Sequence, residues 1–446
     1  MKSKALLIFC LVFQGYSDGF VVAQKAMPTG SDDSLKKSVD ALNHDLGWLK
    51  NFKVSGWVQA QFQLAESKGA KTFDGGDFLA NSNNRFLIRR GRIKFTYTNK
   101  LSQYVLQINA TERGLNLVDF YSKITDPWTK TLSLTVGVLN RPFGFEIQQS
   151  SSDRETPERA RFTQILLPNE RDLGATATFQ PIKGQKLFGL KVDAGWFNGT
   201  GIDVPGTTSL NGVGVLDFDS FKDFIGRANY KKSWKEERYT LGVGASHYNG
   251  GFVYQNNVVY NSIETNSTGK MQWKIADTTD GTRFINKKAP RIYYGADFQF
   301  GFKSLLGTTT LRCEYIKGKQ AGMLDESKSP SSLPAKQDTY IRNFQGMYTY
   351  LIQRIGKTKH EIALKFEWYD PNSKISSSDI SATNVSFTKA ELKYTALGIG
   401  YNYYIHENVK FMVYYNMVTN ETSPVITGFA TDLKDDVLTF RMQYKF

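Results

Sequence analysis

The chain has two cysteines, few prolines and no long apolar run after its first residues, and each shortage removes a class of protein. Only Cys10 and Cys313 are cysteine in 446 residues, and Cys10 lies in the apolar stretch at the amino terminus. With that stretch removed, a lone Cys313 supports neither a disulfide framework nor a thiolate metal site within one chain. No later segment offers about 18 consecutive apolar residues, so no transmembrane helix is expected. The 12 prolines leave room for many uninterrupted strand ladders. The histidines, His44, His247, His360 and His406, show no ligand spacing, so no metal is expected. No nucleophile with a base and an orienter can be assigned, so no catalytic residue, enzymatic activity or cofactor is expected.

What is abundant is aromatic and basic: 23 Tyr, 31 Phe and a net charge of +14. Lys2 and Lys4, an apolar core from Ala5 to Phe13, and the small residues Val21 and Ala23 before Gln24 read as a signal peptide over 1–23. Residues 24–52 read as a periplasmic segment. There Leu35, Val39, Leu42, Leu46 and Leu49 form a short helical stripe, either a plain periplasmic helix or a trimerisation element.

From 53 to 446 the period changes to two. In the last residues, DDVLTFRMQYKF, Leu438, Phe440, Met442, Tyr444 and Phe446 alternate with Thr439, Arg441, Gln443 and Lys445. An apolar, aromatic-rich face backed by a charged face is what a strand between lipid and water requires. Comparable alternation predicts strands over 54–64, 86–98, 103–110, 116–123, 131–139, 173–180, 187–197, 224–231, 238–248, 291–300, 309–316, 343–353, 360–369, 396–405, 409–418 and 437–446. Short links alternate with long ones, the long ones being 65–85, 140–172, 198–223, 249–290, 317–342, 370–395 and 419–436. The expected fold is an all-β, transmembrane antiparallel β-barrel of about 16 strands with a short N-terminal helix. On the outward parity one charged residue, Arg89, stands at a strand edge.

The stretch VGVLNRPFGFEIQQSSSDRETPERARFTQILLPNERDLGATATF, residues 136–179, resembles the phosphate-selective porin O and P family. RFLIRRGRIKF at 85–95, GWFNGTG at 195–201, FEWYDPN at 366–372 and LGIGYNYYIHENVKFMVYYN at 397–416 extend the resemblance over nearly the whole mature chain. It implies a trimeric porin in the outer membrane of a Gram-negative bacterium, passing anions and in some members phosphate or polyphosphate.

The inward parity is rich in cations. Arg90, Arg92 and Lys94 stand two residues apart and form a ladder, and Arg227, Arg312, Lys365 and Arg441 join them from other strands. Rings of Arg and Lys favour anion passage. The alternative is that these cations pair with wall acids, as Arg312 would with Asp297 one strand away. The 140–172 connection carries Arg154, Arg159 and Arg161 among nearly balancing acids, and is expected to fold inward as a constriction.

The leading reading is passive diffusion of small hydrophilic solutes, biased toward anions such as phosphate, through a homotrimer embedded in outer-membrane lipid. Nucleic acid is not an expected partner, because secretion and a barrel place the positive charge in a lumen. The second reading is a barrel surface protein whose long loops bind a partner or glycan without an open channel.

Overall fold

The computed structural model describes residues 36–41, 46–202, 217, 219–276, 283–328, 337–380 and 387–446. The chain divides into two units, Met1–Lys50 and Asn51–Phe446. In the first, residues 36–41 are helical. The expected signal peptide, and Leu35 and Leu42 of the heptad stripe, lie outside the described residues. No described helix is long and apolar enough to cross a membrane.

The second unit opens after a 3-10 turn, Gly47–Asn51, and is built of strands. They are β1 (Phe52–Ala65), β2 (Asn84–Asn99), β3 (Ser102–Thr111), β4 (Gly114–Thr125), β5 (Leu132–Asn140), β6 (Arg171–Phe179), β7 (Leu190–Phe197), β8 (Asp223–Trp234) and β9 (Tyr239–Val253). Then follow β10 (Val259–Thr265), β11 (Met271–Ile275), β12 (Lys288–Ser304), β13 (Gly307–Gly322), β14 (Thr339–Ile355), β15 (His360–Asp370), β16 (Tyr394–His406), β17 (Val409–Asn420) and β18 (Val437–Lys445). Sixteen of them, β1–β9 and β12–β18, form a closed antiparallel barrel. Its seam is the pairing of β1 with β18, where Phe62 lies opposite Phe440 and Val58 opposite Tyr444.

Closure removes every unpaired edge, the condition for a sheet to stand in hydrocarbon. Leu134, Val136, Leu364, Phe366, Leu397, Ile399 and Met442 point outward and are exposed, as a lipid-facing belt requires. The hairpin β10–β11 was not expected from the sequence. It rises from the long connection between β9 and β12, and Tyr260 stacks on Tyr340 at a centroid distance of 4.4 Å.

Arg89 does not face lipid. Gln59 pairs with Arg90 and Ala60 with Ile88, so Arg89 is the extra residue of a β-bulge. Phe86 and Ile88 therefore face outward before the bulge and Ile93 and Phe95 after it, a change of parity that turns both Arg89 and Arg90 inward.

The main apolar core lies inside the barrel. Phe143, Ile147, Phe162, Ile165 and Leu166 of the β5–β6 connection pack on Phe197, Ile225, Tyr248, Tyr293, Phe344 and Tyr348 of the wall.

Candidate functional site: an arginine-rich constriction

The connection from Asn140 to Arg171 enters the barrel through the segment NRPFGFE. Gly144 adopts φ +63° and its N–H donates to Ser246 Oγ at 3.0 Å; a Cβ there would collide with the Glu314 carboxylate. The next two N–H groups, of Phe145 and Glu146, donate to Glu314 at 3.0 and 3.1 Å. Phe143 meets Tyr293 edge-on at 6.3 Å. The turn is thus pinned to β9, β12 and β13, and glycine is the residue that permits it.

Glu146 then folds the loop back on itself. Its carboxylate accepts from Ala160 N–H at 2.9 Å, Thr163 Oγ1 at 2.9 Å and Tyr350 OH at 3.0 Å. The short helix Arg161–Leu166 buries Phe162, which stacks on Tyr348 at 5.9 Å. A loop packed inside a barrel risks stranding its carbonyls away from water. Here the wall satisfies them. Gln59 donates to Ser151 O at 2.9 Å, Gln443 to Ser152 O at 3.0 Å, Lys410 to Arg154 O at 2.7 Å and Asn402 to Glu155 O at 2.9 Å.

The charges are arranged unevenly. One carboxylate, Glu158, accepts from three guanidinium groups: Arg89 at 2.8 Å, Arg90 at 2.8 Å and Arg441 at 3.1 Å. Burial alone would push Glu158 up, but Arg89, Arg90, Arg441 and Arg154 together hold it well below the usual carboxylate range. Arg154 is 2% exposed, and among the described residues its Nε, Nη1 and Nη2 have no hydrogen-bond partner. Burial lowers its pKa. Arg159 is likewise lowered by burial, with Arg154 adding to it. Arg159 pairs with Glu170, and Arg171 bridges Glu170 and Asp119. The Arg161 guanidinium lies between the Phe73 and Tyr394 rings, 4.6 and 3.7 Å from their centroids, and 3.9 Å from Asp435.

These groups bound a cavity of about 730 Å³, lined by Phe73, Arg89, Arg154, Arg161, Glu170 and Tyr394 among others. A smaller space of about 90 Å³ adjoins Arg89, Arg90, Arg92 and Arg171. The two share Arg89, Arg90 and Glu170 as walls.

Of the residues expected in the lumen, Arg90, Arg154, Arg159, Arg161 and Arg441 come together at this loop. Arg92 lines the smaller space, with Nε lacking a hydrogen-bond partner among the described residues. Lys94 lies further along β2, opposite Ser55 and Gln107. Arg227, Arg312 and Lys365 are in ion pairs instead. Lys365 pairs with Glu367 at 2.8 Å.

The expected pairing of Arg312 with Asp297 does not form. Arg312 sits opposite Gln299 and takes Glu155 of the inner loop at 2.6 Å. Asp297 is bound by buried Arg227, whose Nη2 donates at 2.9 Å. Arg227 reaches Asp297 across β9 because the intervening residue is Gly244, where a Cβ would crowd both groups.

A sequence reading missed Gln59, Asn402 and Gln443 as the polar lining that holds the loop, and Gln61 as the acceptor that positions Arg441 beside it. The alternation of Gln59, Gln61 and Gln63 on the inward parity was the available signal. Glu158 as a shared acceptor had none, since its partners are 68 to 283 positions away.

Neither a family model nor a curated protein sequence matches this chain. Solved structures do. Salmonella typhi OmpF in complex with daunomycin superposes with a TM-score of 0.50 at 12% identity, over 89% of this chain and 97% of that one. The fold is that of an outer-membrane porin. The outer membrane channel DcaP of Acinetobacter baumannii gives 0.49 at 11% identity, over 89% and 97% of the two chains. A loop-deletion mutant of Vibrio cholerae OmpT gives 0.49 at 7%, over 89% and 99%. Within this fold the inner loop packs against the inside of the wall.

Proposed function

We propose that this barrel sits in the outer membrane of a Gram-negative bacterium as a homotrimeric porin, its long loops outside. Small hydrophilic solutes cross it by passive diffusion with a bias toward anions. The observation that supports the bias is the excess of guanidinium at the inner loop, where Glu158 serves Arg89, Arg90 and Arg441 while Arg154 makes no hydrogen bond among the described residues. A unit charge about 4 Å from an anion contributes on the order of 4 kcal/mol at an effective dielectric of 20, before the anion's desolvation is subtracted. Conduction needs sites weak enough to leave, and several adjacent arginines serve that better than one deep site.

Phosphate-type oxyanions are the solutes we favour. Guanidinium presents a planar fork of donors that matches a phosphate edge, and the resemblance to phosphate-selective porins supports the same class. A planar lipid bilayer with a potassium chloride gradient tests the proposal. The expected reversal potential shows chloride preferred, with added phosphate reducing the chloride current. A potential showing potassium preferred overturns the bias. Absence of conductance, with binding to an external partner retained, favours the surface-protein reading instead.

A further inference from the structure

The smaller of the two spaces beside the inner loop has the size and the charge of a socket for one anionic group. Its volume is about 90 Å³, and its walls carry Arg89, Arg90, Arg92 and Arg171 against the single carboxylate of Glu170. At roughly 10–15 Å³ for each water-sized group, it takes a phosphate and leaves no room for a sugar ring beside it. Arg89 and Arg90 are already turned to Glu158, and Arg171 to Asp119 and Glu170. Arg92 is different. Its guanidinium makes no ion pair or hydrogen bond among the described residues. Two amides line the space with it. Asn116 accepts from the Asn109 amide on Oδ1 at 3.1 Å, which leaves its own Nδ2 to donate, and Asn169 stands at φ +56° just before β6.

The smaller space borders the larger one. Arg89, Arg90, Asn169 and Glu170 are walls of both, so a solute whose anionic end is held at Arg92 has the rest of its body in the space of about 730 Å³. The arginines that line only the larger space are otherwise engaged or covered: Arg154 is buried, Arg159 pairs with Glu170, and Arg161 lies between the Phe73 and Tyr394 rings. The connection after β13 adds Asp325, Glu326 and Lys328 to this lining, and Lys389 joins them from ahead of β16. Two carboxylates and two ammonium groups cancel in charge, so this part of the cavity has no attraction for a second phosphate. It presents acceptors and donors together, which suits hydroxyl groups, since each of them both donates and accepts.

We propose that the paired spaces select phosphate monoesters of a polyol, of the size of a hexose phosphate, over inorganic phosphate and over polyphosphates. The phosphate sits at Arg92, Asn116 and Asn169, and the hydroxyl groups reach Asp325 and Glu326. This rests on the reading above that the barrel passes anions, and it names the class of anion.

The probe is glucose 6-phosphate, added to the full-length barrel in a planar bilayer carrying chloride current, with inorganic phosphate, pyrophosphate and glucose as comparison arms. Glucose 6-phosphate is expected to halve the current at a concentration on the order of tenfold below that of inorganic phosphate, the effect of one or two further hydrogen bonds. Pyrophosphate should do no better than inorganic phosphate, and glucose should have no effect. Arg92→Gln should weaken the block by both phosphates on the order of tenfold, through loss of a charge-assisted hydrogen bond. Asp325→Asn/Glu326→Gln should weaken the glucose 6-phosphate block by a similar factor and leave that of inorganic phosphate unchanged, a split that general damage to the barrel does not produce. Heat-modifiable mobility on a gel checks folding, and the Asp325→Asn/Glu326→Gln variant, made in a connection outside the wall, decides alone if Arg92→Gln does not fold.

Inorganic phosphate blocking as well as glucose 6-phosphate, pyrophosphate blocking better than either, or an unchanged glucose 6-phosphate block in Asp325→Asn/Glu326→Gln would each overturn the proposal. A reversal potential that still prefers chloride in those cases leaves the anion reading standing. Equilibrium dialysis of glucose 6-phosphate against the detergent-solubilised protein reads the site without conduction. Saturable binding that is lost in Arg92→Gln, in a barrel that prefers potassium or does not conduct, supports the site and overturns the anion-channel reading instead.

Discussion

The guanidinium of Arg441, on the strand that closes the barrel, donates to Glu158 of the inner loop at 3.1 Å. Arg89 and Arg90 share that carboxylate from the opposite side of the seam. Removing the acid, as in Glu158→Gln, takes the shared counter-charge from buried Arg90 and Arg441 and from half-buried Arg89. Losing one partner of a buried pair costs about 3–5 kcal/mol, so the barrel should lose its heat resistance at a lower temperature while its reversal potential moves further toward chloride. Because the folded state depresses the pKa of Glu158, its contribution is present above the ordinary carboxylate range and is lost as acid protonates it. Gel-mobility melting from pH 7 downward and bilayer recording check both halves.

Arg154 predicts the opposite coupling of stability to selectivity. Its guanidinium is buried and makes no hydrogen bond among the described residues, and Glu158 and Glu146 offset its charge only at a distance, so Arg154→Met should leave stability within about 1 kcal/mol of wild type or raise it. The chloride-to-potassium permeability ratio should fall on the order of tenfold, the equivalent of about 1.4 kcal/mol. A variant that is destabilised with selectivity intact would show that Arg154 serves the wall and not the solute.

Asp435 predicts a pH dependence of the proposed anion preference near neutrality. Burial raises its pKa to about 7, against the opposing pull of Arg161. Below that value the carboxyl is neutral and the Arg161 charge is uncompensated; above it the ionised carboxylate offsets Arg161. Anion preference should therefore rise as pH falls from 8 to 6, and Asp435→Asn should hold the low-pH value throughout. The raised pKa also means that this group's contribution to stability is complete in acid and lost as pH rises through about 7. Reversal potentials at pH 6, 7 and 8 decide it.

Gly144→Ala tests the entry of the inner loop. Its positive φ and the proximity of Glu314 leave no room for a methyl group, and a strained residue of this kind costs about 1–3 kcal/mol. The loop should sit less firmly, with larger and noisier single-channel conductance and a lower melting temperature.

Much of this molecule can be read in the sequence because lipid on one face and water on the other impose a period of two on every barrel strand. Each of the sixteen expected strands has its counterpart, and Leu438 to Phe446 lie in the seam with β1 as the alternation requires. Arg89 escaped because a bulge inserts one residue and reverses parity without marking the sequence. The β10–β11 hairpin escaped because its strands are short and lie within a long connection. The pairings of the inner loop escaped for another reason: alternation says which side chains face inward but not which meet. Arg312 and Glu155 are 157 positions apart, and the glycine that lets Arg227 reach Asp297 belongs to a third strand.

The inner loop comes from the middle of the chain, yet its carbonyls are held by Gln59 of the first strand and Gln443 of the last. Those two side chains can meet residues 151 and 152 only when both ends of the chain have arrived around them. The loop's hydrogen bonding is thereby tied to closure: its carbonyls at 151 and 152 are both satisfied only once the first and last strands have met. The middle of the chain and its two ends are in this sense one unit, and a loop displaced from the inside of the barrel would leave Gln59 and Gln443 without these acceptors.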